Sequence, residues 1–135
     1  MATLPISNQV SISSITAYIE QQSDVAKNHY VFSYQITITN NSDQTVQLLS
    51  RHWLIEDANL KKEEIYGEGV IGEQPIIAPG QSYSYKSGAI LETEMGTMNG
   101  RYFFITKADE STPSNADEFE VTIPEFILSI PRTLH

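Results

Sequence analysis

Between Tyr30 and Thr39 the chain alternates without a break: Tyr30, Phe32, Tyr34, Ile36 and Ile38 fall in one phase, with Val31, Ser33, Gln35, Thr37 and Thr39 between them. Successive side chains of a strand point to opposite faces of a sheet, so this period of two predicts a strand with one face in a core. The same period returns along the chain. Val10 and Ile12 in one phase and Ile15, Ala17 and Ile19 in the other predict a first strand interrupted by a bulge. Val46 to Ile55 predicts a third strand, with Arg51, Trp53 and Ile55 on one face and His52 and Leu54 on the other. Gln81 to Ser87 places Tyr83 and Tyr85 together. Arg101 to Ile105 is apolar on both faces, which suits a central position in a sheet. Phe119, Val121 and Ile123 predict a strand stopped by Pro124. Phe126, Leu128 and Ile130 predict a last edge strand or a docked tail.

Turn chemistry punctuates these runs. Asn40-Asn41-Ser42-Asp43 reads as a turn, because Asn and Asp tolerate left-handed backbone and bond their own main chain. The same residues fit a glycosylation sequon, a reading that lacks a secretory signal to support it. Pro79-Gly80 fits a reverse turn with Pro second and Gly third. Gly96 to Gly100 reads as a loop, and 108–117, polar and containing Pro113, as a long hairpin connection. No helix longer than about two turns is required. The expected fold is an all-β immunoglobulin- or fibronectin-III-like antiparallel sandwich of about seven to nine strands, without a disulfide. Within it Trp53 takes the buried place on the third strand. Gly100-x-Tyr102-x-Phe104 reads as a tyrosine corner, with Phe104 packing toward Ile36 or Ile38 and Trp53.

Composition excludes several chemistries. The 135 residues contain no cysteine, which removes disulfides, thiolate metal sites and cysteine nucleophiles. Seventeen acidic against eight basic residues give a formal charge of −9, which repels nucleic-acid phosphates and anionic membranes. No apolar run approaches the roughly 20 residues that span a bilayer. A single domain over residues 1–135, cytoplasmic and not inserted in a membrane, is the expectation.

One stretch advertises a chemistry. Gly67, Gly69 and Gly72 have the G-x-G-x-x-G spacing of a dinucleotide fingerprint. That fingerprint needs a helix after the last glycine, whose amides hold the pyrophosphate. Here Pro75 and Pro79 follow three and seven residues after Gly72. An interior proline costs about 3 kcal/mol, so the helix does not form. The surrounding charges, Glu63, Glu64, Glu68 and Glu73, are unfavourable to a bare phosphate as well. Two readings remain: glycines that let a strand bend or another segment pass close, or a backbone concavity for a small anion, with Arg51 and Arg101 as its cations.

Arg51-His52-Trp53-Leu54-Ile55, Gly67-Glu68-Gly69-Val70-Ile71-Gly72-Glu73-Gln74-Pro75, Pro79-Gly80, Tyr85-x-Ser87-Gly88 and Gly96-x-Met98-x-Gly100-x-Tyr102 occur in that order. In this the chain resembles the ApaG family, from about Val10 to Phe126. It departs in the turn after the Arg-His-Trp strand, where Leu60 stands in place of a usual glycine. The resemblance implies a fibronectin-III-like sandwich with no established catalytic activity. It also implies an indirect association with cobalt and magnesium efflux, and use as a protein-interaction module appended to larger proteins.

The expectation for function is therefore a non-enzymatic binding module for a protein partner or a small anionic ligand, with Gly67, Glu68, Gly69, Gly72, Arg51 and Arg101 as candidate site residues. No cofactor is expected. Mg²⁺ or Co²⁺ would draw on Glu63, Glu64, Glu68 and Glu73, of which Glu64 and Glu68 share a strand face. The alternative is Mg²⁺-dependent binding or hydrolysis of nucleotides or dinucleoside polyphosphates at the glycine stretch. Catalytic candidates are thin: Ser87 lacks a nucleophile-elbow context, and His29, His52 and His135 have no partner at an informative spacing. A homodimer through a free sheet edge is a further expectation.

Overall fold

A computed structural model describes residues 5–107 and 117–131. Eight strands carry the described chain: β1 (Val10–Tyr18), β2 (Tyr30–Asn40), β3 (Val46–Asp57), β4 (Lys62–Glu68), β5 (Ile76–Ile77), β6 (Ser82–Leu91), β7 (Met95–Thr106) and β8 (Glu118–Ser129). They form two antiparallel sheets. One has the order β1-β2-β6, and the other the order β4-β3-β7-β8 with β5 paired to β3. The only helical turns among the described residues are three of 3-10 type, Ile6–Asn8, Glu20–Gln22 and Val25–Lys27.

The alternation in β2 sets the core. Tyr30, Phe32, Tyr34, Ile36, Ile38 and Asn40 are all buried, and every residue between them is half-exposed. Trp53 on β3 lies at the centre of the inter-sheet layer. Its ring meets Tyr34, Phe126 and Tyr102 at centroid distances of 5.5, 5.8 and 6.1 Å, all edge-on. Edge-on geometry sets the positive rim of one ring against the negative face of the other, and such a pair adds about 0.5–1.5 kcal/mol beyond its burial. As expected, β7 is central in its sheet, between β3 and β8.

The Asn40 turn is built from the inside. The Asn40 amide nitrogen donates to the C=O groups of Gln44 (2.7 Å) and Ile77 (3.0 Å), and its oxygen accepts from Ser42 Oγ and N–H. With its side chain enclosed, Asn40 is a structural turn residue and is closed to glycosylation. Pro79-Gly80 forms the expected reverse turn, closed by Gln81 N–H to Ala78 C=O at 3.0 Å.

Several expectations need correction. The register of β1 on β2 is continuous from Val10 to Tyr18, with no bulge. Ile15 and Ala17 face outward, because the inward phase is carried by Ser14, Thr16 and Tyr18 instead. Gly96 to Gly100 is strand, not loop; the β6–β7 turn comes earlier, at 92–94. Gly100 is needed where β7 crosses β3, since a Cβ there would stand 1.9 Å from the His52 carbonyl oxygen. Pro124 does not end β8. It sits where the β7–β8 register shifts, on an edge strand that tolerates a missing donor, and the strand continues to Ser129. The tyrosine corner is absent as well. Tyr102 directs its hydroxyl to Tyr85 across the sandwich, and Phe104 stacks on Phe119 at 5.4 Å. The expected 108–117 connection (all but Asp117) and His135 lie outside the described residues.

Candidate functional site

A bulge in β3 places the glycine stretch. The β3–β7 register shifts between Leu48 and Ser50, so Leu49 is an extra residue. Its carbonyl accepts the Gly69 N–H at 2.8 Å and Gln74 Nε2 at 2.9 Å. Leu48 N–H donates to Pro75 C=O, and Gln47 Nε2 donates to Gln74 C=O. Between these anchors Val70 and Glu73 exchange both backbone hydrogen bonds, at 2.8 and 3.0 Å, and close a two-residue hairpin loop. Ile71 (φ 47°) and Gly72 (φ 75°) form the tip. Positive φ at both central residues is the signature of a type I′ turn. No helix follows, and Pro75 leads directly into β5, as the prolines predict.

Arg51 braces the hairpin from within. Its Nη1 donates to the Glu68 and Gly69 carbonyls at 3.1 and 2.7 Å. Gly67 leaves room for this guanidinium: a Cβ there would stand 2.7 Å from its carbon and push the Arg51 head out of its place. Gly69 is required twice over: its φ is +60°, and a Cβ would lie 2.1 Å from the Glu73 carbonyl oxygen. Beyond the brace, Tyr85 and Tyr102 bond through their hydroxyls, which links the two sheets. Burial pushes both phenols above the ordinary tyrosine value, while the Arg51 charge acts against that shift.

Arg101 does not join Arg51. In the β3–β7 register Arg51 lies opposite Tyr102, and His52 lies opposite Arg101. Arg51 therefore points between the sheets, whereas Arg101 points outward. There Arg101 pairs with Glu120 (3.1 Å) and reaches His52 Nδ1 at 3.5 Å. The His52 ring, only 5% exposed, lies flat against Tyr66 with centroids 4.1 Å apart. Its Nε2 has no partner in the structure. Arg51 and Arg101 therefore do not meet in one anion site, because adjacent strand positions face opposite sides.

Of the candidate residues, Arg51, Gly67, Glu68 and Gly69 come together, Gly72 sits at the tip of the loop, and Arg101 is apart. Glu64 and Glu68 share a face of β4 with Tyr66 between them, and Glu73 accepts a hydrogen bond from Tyr83 at 2.9 Å. Burial, followed by this hydrogen bond, raises the Tyr83 phenol. Among the described residues no three His, Cys, Asp or Glu side chains cluster as a metal site. The sequence reading missed the outward exposure of Ile71 (58%) and Tyr66 (68%). For Tyr66 the signal was present, since it alternates with Ile65. For Ile71 there was none, because a β-branched residue rarely takes positive φ.

Comparison with known proteins agrees with this fold. A family model described as the ApaG domain matches residues 20–106. Protein ApaG of Shewanella pealeana is 48% identical over 126 residues, covering 93% of this chain and 94% of that one. Protein ApaG of Azoarcus sp. is 42% identical over 127 residues, covering 94% of each. A crystal structure described as an ApaA protein from Bordetella pertussis superposes with a TM-score of 0.84 at 40% identity, covering 92% of this chain and 95% of that one.

Proposed function

The chain belongs to the ApaG domain family, and from that premise we propose that it is a non-catalytic binding module whose contact surface for a protein partner is the glycine hairpin and the sheet edge that bears it. One observation carries the reading: a braced hairpin holds Ile71 in left-handed backbone with its side chain in solvent. That conformation costs an L-residue about 1–2 kcal/mol, and it persists only where the surroundings over-determine it. Here Arg51, the Leu49 carbonyl and the Val70–Glu73 pair do so. Tyr66 and Ile76, on the same edge, are also exposed. A rigid apolar tip loses little entropy when a partner covers it.

The anion reading has less support. The Gly69 N–H already donates to the Leu49 carbonyl, the Val70 and Glu73 N–H groups donate to one another's carbonyls, and Arg51 already donates to two carbonyls. Binding or hydrolysis of nucleotides with Mg²⁺ would have to displace these bonds. Any link to cobalt or magnesium efflux then runs through the partner, and the site of action is the cytoplasm. The fibronectin-III-like assignment rests on β1-β2-β6 facing β4-β3-β7-β8 and on Trp53 in the third strand.

The test places a photo-crosslinking residue at position 71 or, as control, at position 13, in the cell of origin. A partner crosslinked at 71 only, and lost on Tyr66→Ala, is the expected result. Crosslinks of equal yield at both positions, or none, overturn the reading. Calorimetry with Mg²⁺, Co²⁺ and diadenosine polyphosphate covers the alternative, with no heat above background expected.

A further inference from the structure

A sandwich of two open sheets has edges on both flanks, and three of them are protected. β1 and β8 lie side by side, with Thr16 Oγ1 reaching Ile127 C=O at 3.5 Å. β8 carries Pro124. β4 carries Lys62, Glu63, Glu64 and Glu68 within seven residues, a charge density that discourages pairing. β6 is different. It runs ten residues, Ser82–Leu91, with neither proline nor bulge and with Lys86 as its sole charge, and it pairs only with β2.

Its free edge can be read from the ladder. Asn40 N–H donates to Gln81 C=O, and hydrogen-bonded pairs alternate in an antiparallel ladder. The odd-numbered positions of β6 thus face β2. Ser82, Ser84, Lys86, Gly88 and Ile90 turn their N–H and C=O groups outward. A groove of about 500 Å³ lies at the Gly88–Ile90 end of this edge, between β6 and β4, and its apolar wall is Val31, Ile55, Ile65, Gly88, Ala89 and Ile90. Ile55, Ile65 and Ala89 belong to the inter-sheet side. Val31 and Ile90 belong to the outer side of the β1-β2-β6 sheet, and Gly88, lacking a side chain, leaves the way open between the two sides.

We propose that the β6 edge binds an extended peptide segment of another protein by strand addition, with apolar residues at alternate positions and a basic residue toward Glu63. The backbone of such a segment would complete the outward hydrogen bonds of β6. Its alternate side chains would enter the gap against Ile55, Ile65 and Ala89 and cover Val31 and Ile90, the pattern of strand-addition recognition. A second copy of this chain fits less well. The inward side chains of its own β6 are already packed in its own core, so they would leave the gap unfilled. Charge selects the rest. Glu63 lines the groove, Glu92 borders the adjoining depression and is met by Lys61 at 2.9 Å, and the chain carries −9 overall. The groove lies at the Gly88–Ile90 end of β6, whereas the hairpin meets β6 at the other end through Tyr83 and Glu73, so a probe at Ile71 and one at Ile90 can fail independently.

The test uses the full chain and a fluorescein-labelled nonapeptide, Lys-Val-Thr-Ile-Ser-Val-Thr-Ile-Lys, with a version ending in Glu and a version with Pro at the centre. Anisotropy should show binding that weakens about tenfold or more for both altered peptides. Hydrogen exchange should show protection at the amides of Ser82, Ser84, Lys86, Gly88 and Ile90. Ile90→Lys, at a side chain 58% exposed and so compatible with folding, should weaken binding about tenfold, while Ile71→Asp should leave it unchanged. The proposal is overturned by no binding up to about 1 mM peptide, by protection elsewhere, or by concentration-dependent protection of β6 without peptide, which would mark self-pairing.

Discussion

At the scale of single residues, the informative positions are those where backbone and side chain disagree. Leu60 has φ +66° and is 75% exposed, at the end of the β3–β4 turn. The turn itself is well made: Asp57 Oδ1 accepts from Asn59 N–H and Lys61 N–H, and Leu60 N–H donates to Asp57 C=O. A glycine would keep these bonds and relieve the Cβ clash of left-handed backbone. Leu60→Gly is therefore expected to stabilise the protein by about 1 kcal/mol, after allowing for the greater freedom of glycine in the unfolded chain. A higher urea midpoint with an unchanged slope would show it, whereas a lower midpoint would mean that Leu60 makes a contact of its own.

At the scale of elements, two polar side chains hold segments that the ladders alone do not. Arg51 ties the hairpin to β3 through the Glu68 and Gly69 carbonyls. Arg51→Met keeps the stem but removes two charge-assisted hydrogen bonds, with an expected loss of about 2–3 kcal/mol. Faster amide exchange at Gly69 and Val70, with β2 unchanged, would place that loss in the hairpin. Asn40 joins the end of β2 to the β2–β3 turn and to β5. Asn40→Ala strands the Ile77 carbonyl, whose bond to Asn40 is buried, and removes the Ser42 contacts, for an expected cost of roughly 3 kcal/mol by denaturant titration. A cost under about 0.5 kcal/mol would mean that water replaces the amide.

At the scale of the molecule, the two sheets are joined by the Tyr85–Tyr102 hydroxyl pair. Burial raises both phenols, so the folded protein holds two protons that the unfolded chain releases near pH 10. That contribution is fully present below pH 10 and is lost as pH rises beyond it. With two protons at stake, stability should fall by about 2.7 kcal/mol per pH unit above pH 10. Urea midpoints taken from pH 8 to 11.5 would measure the slope. The double variant Tyr85→Phe/Tyr102→Phe should flatten it while costing little at pH 7, because both hydroxyls leave together. An unchanged slope in that variant would assign alkaline unfolding to other groups.

Class and layers are local properties of the chain: alternation in β2, Trp53 on β3 and the proline-glycine turn fix which residues face inward, because strand side chains have a period of two whatever surrounds them. The sequence by itself also excluded a dinucleotide helix at Gly67 to Gly72, since proline chemistry is local. The path of the chain through Gly96 and Pro124 was not legible, because each occupies a strand only by virtue of the neighbour it passes or the ladder position it vacates. Nor was the separation of Arg51 from Arg101, which follows from the pairing of His52 with Arg101. Register between distant strands belongs to the tertiary structure. It decides which of two alternating faces each charge occupies, and so sets Arg51 against the hairpin carbonyls and Arg101 on the outer face beside Glu120.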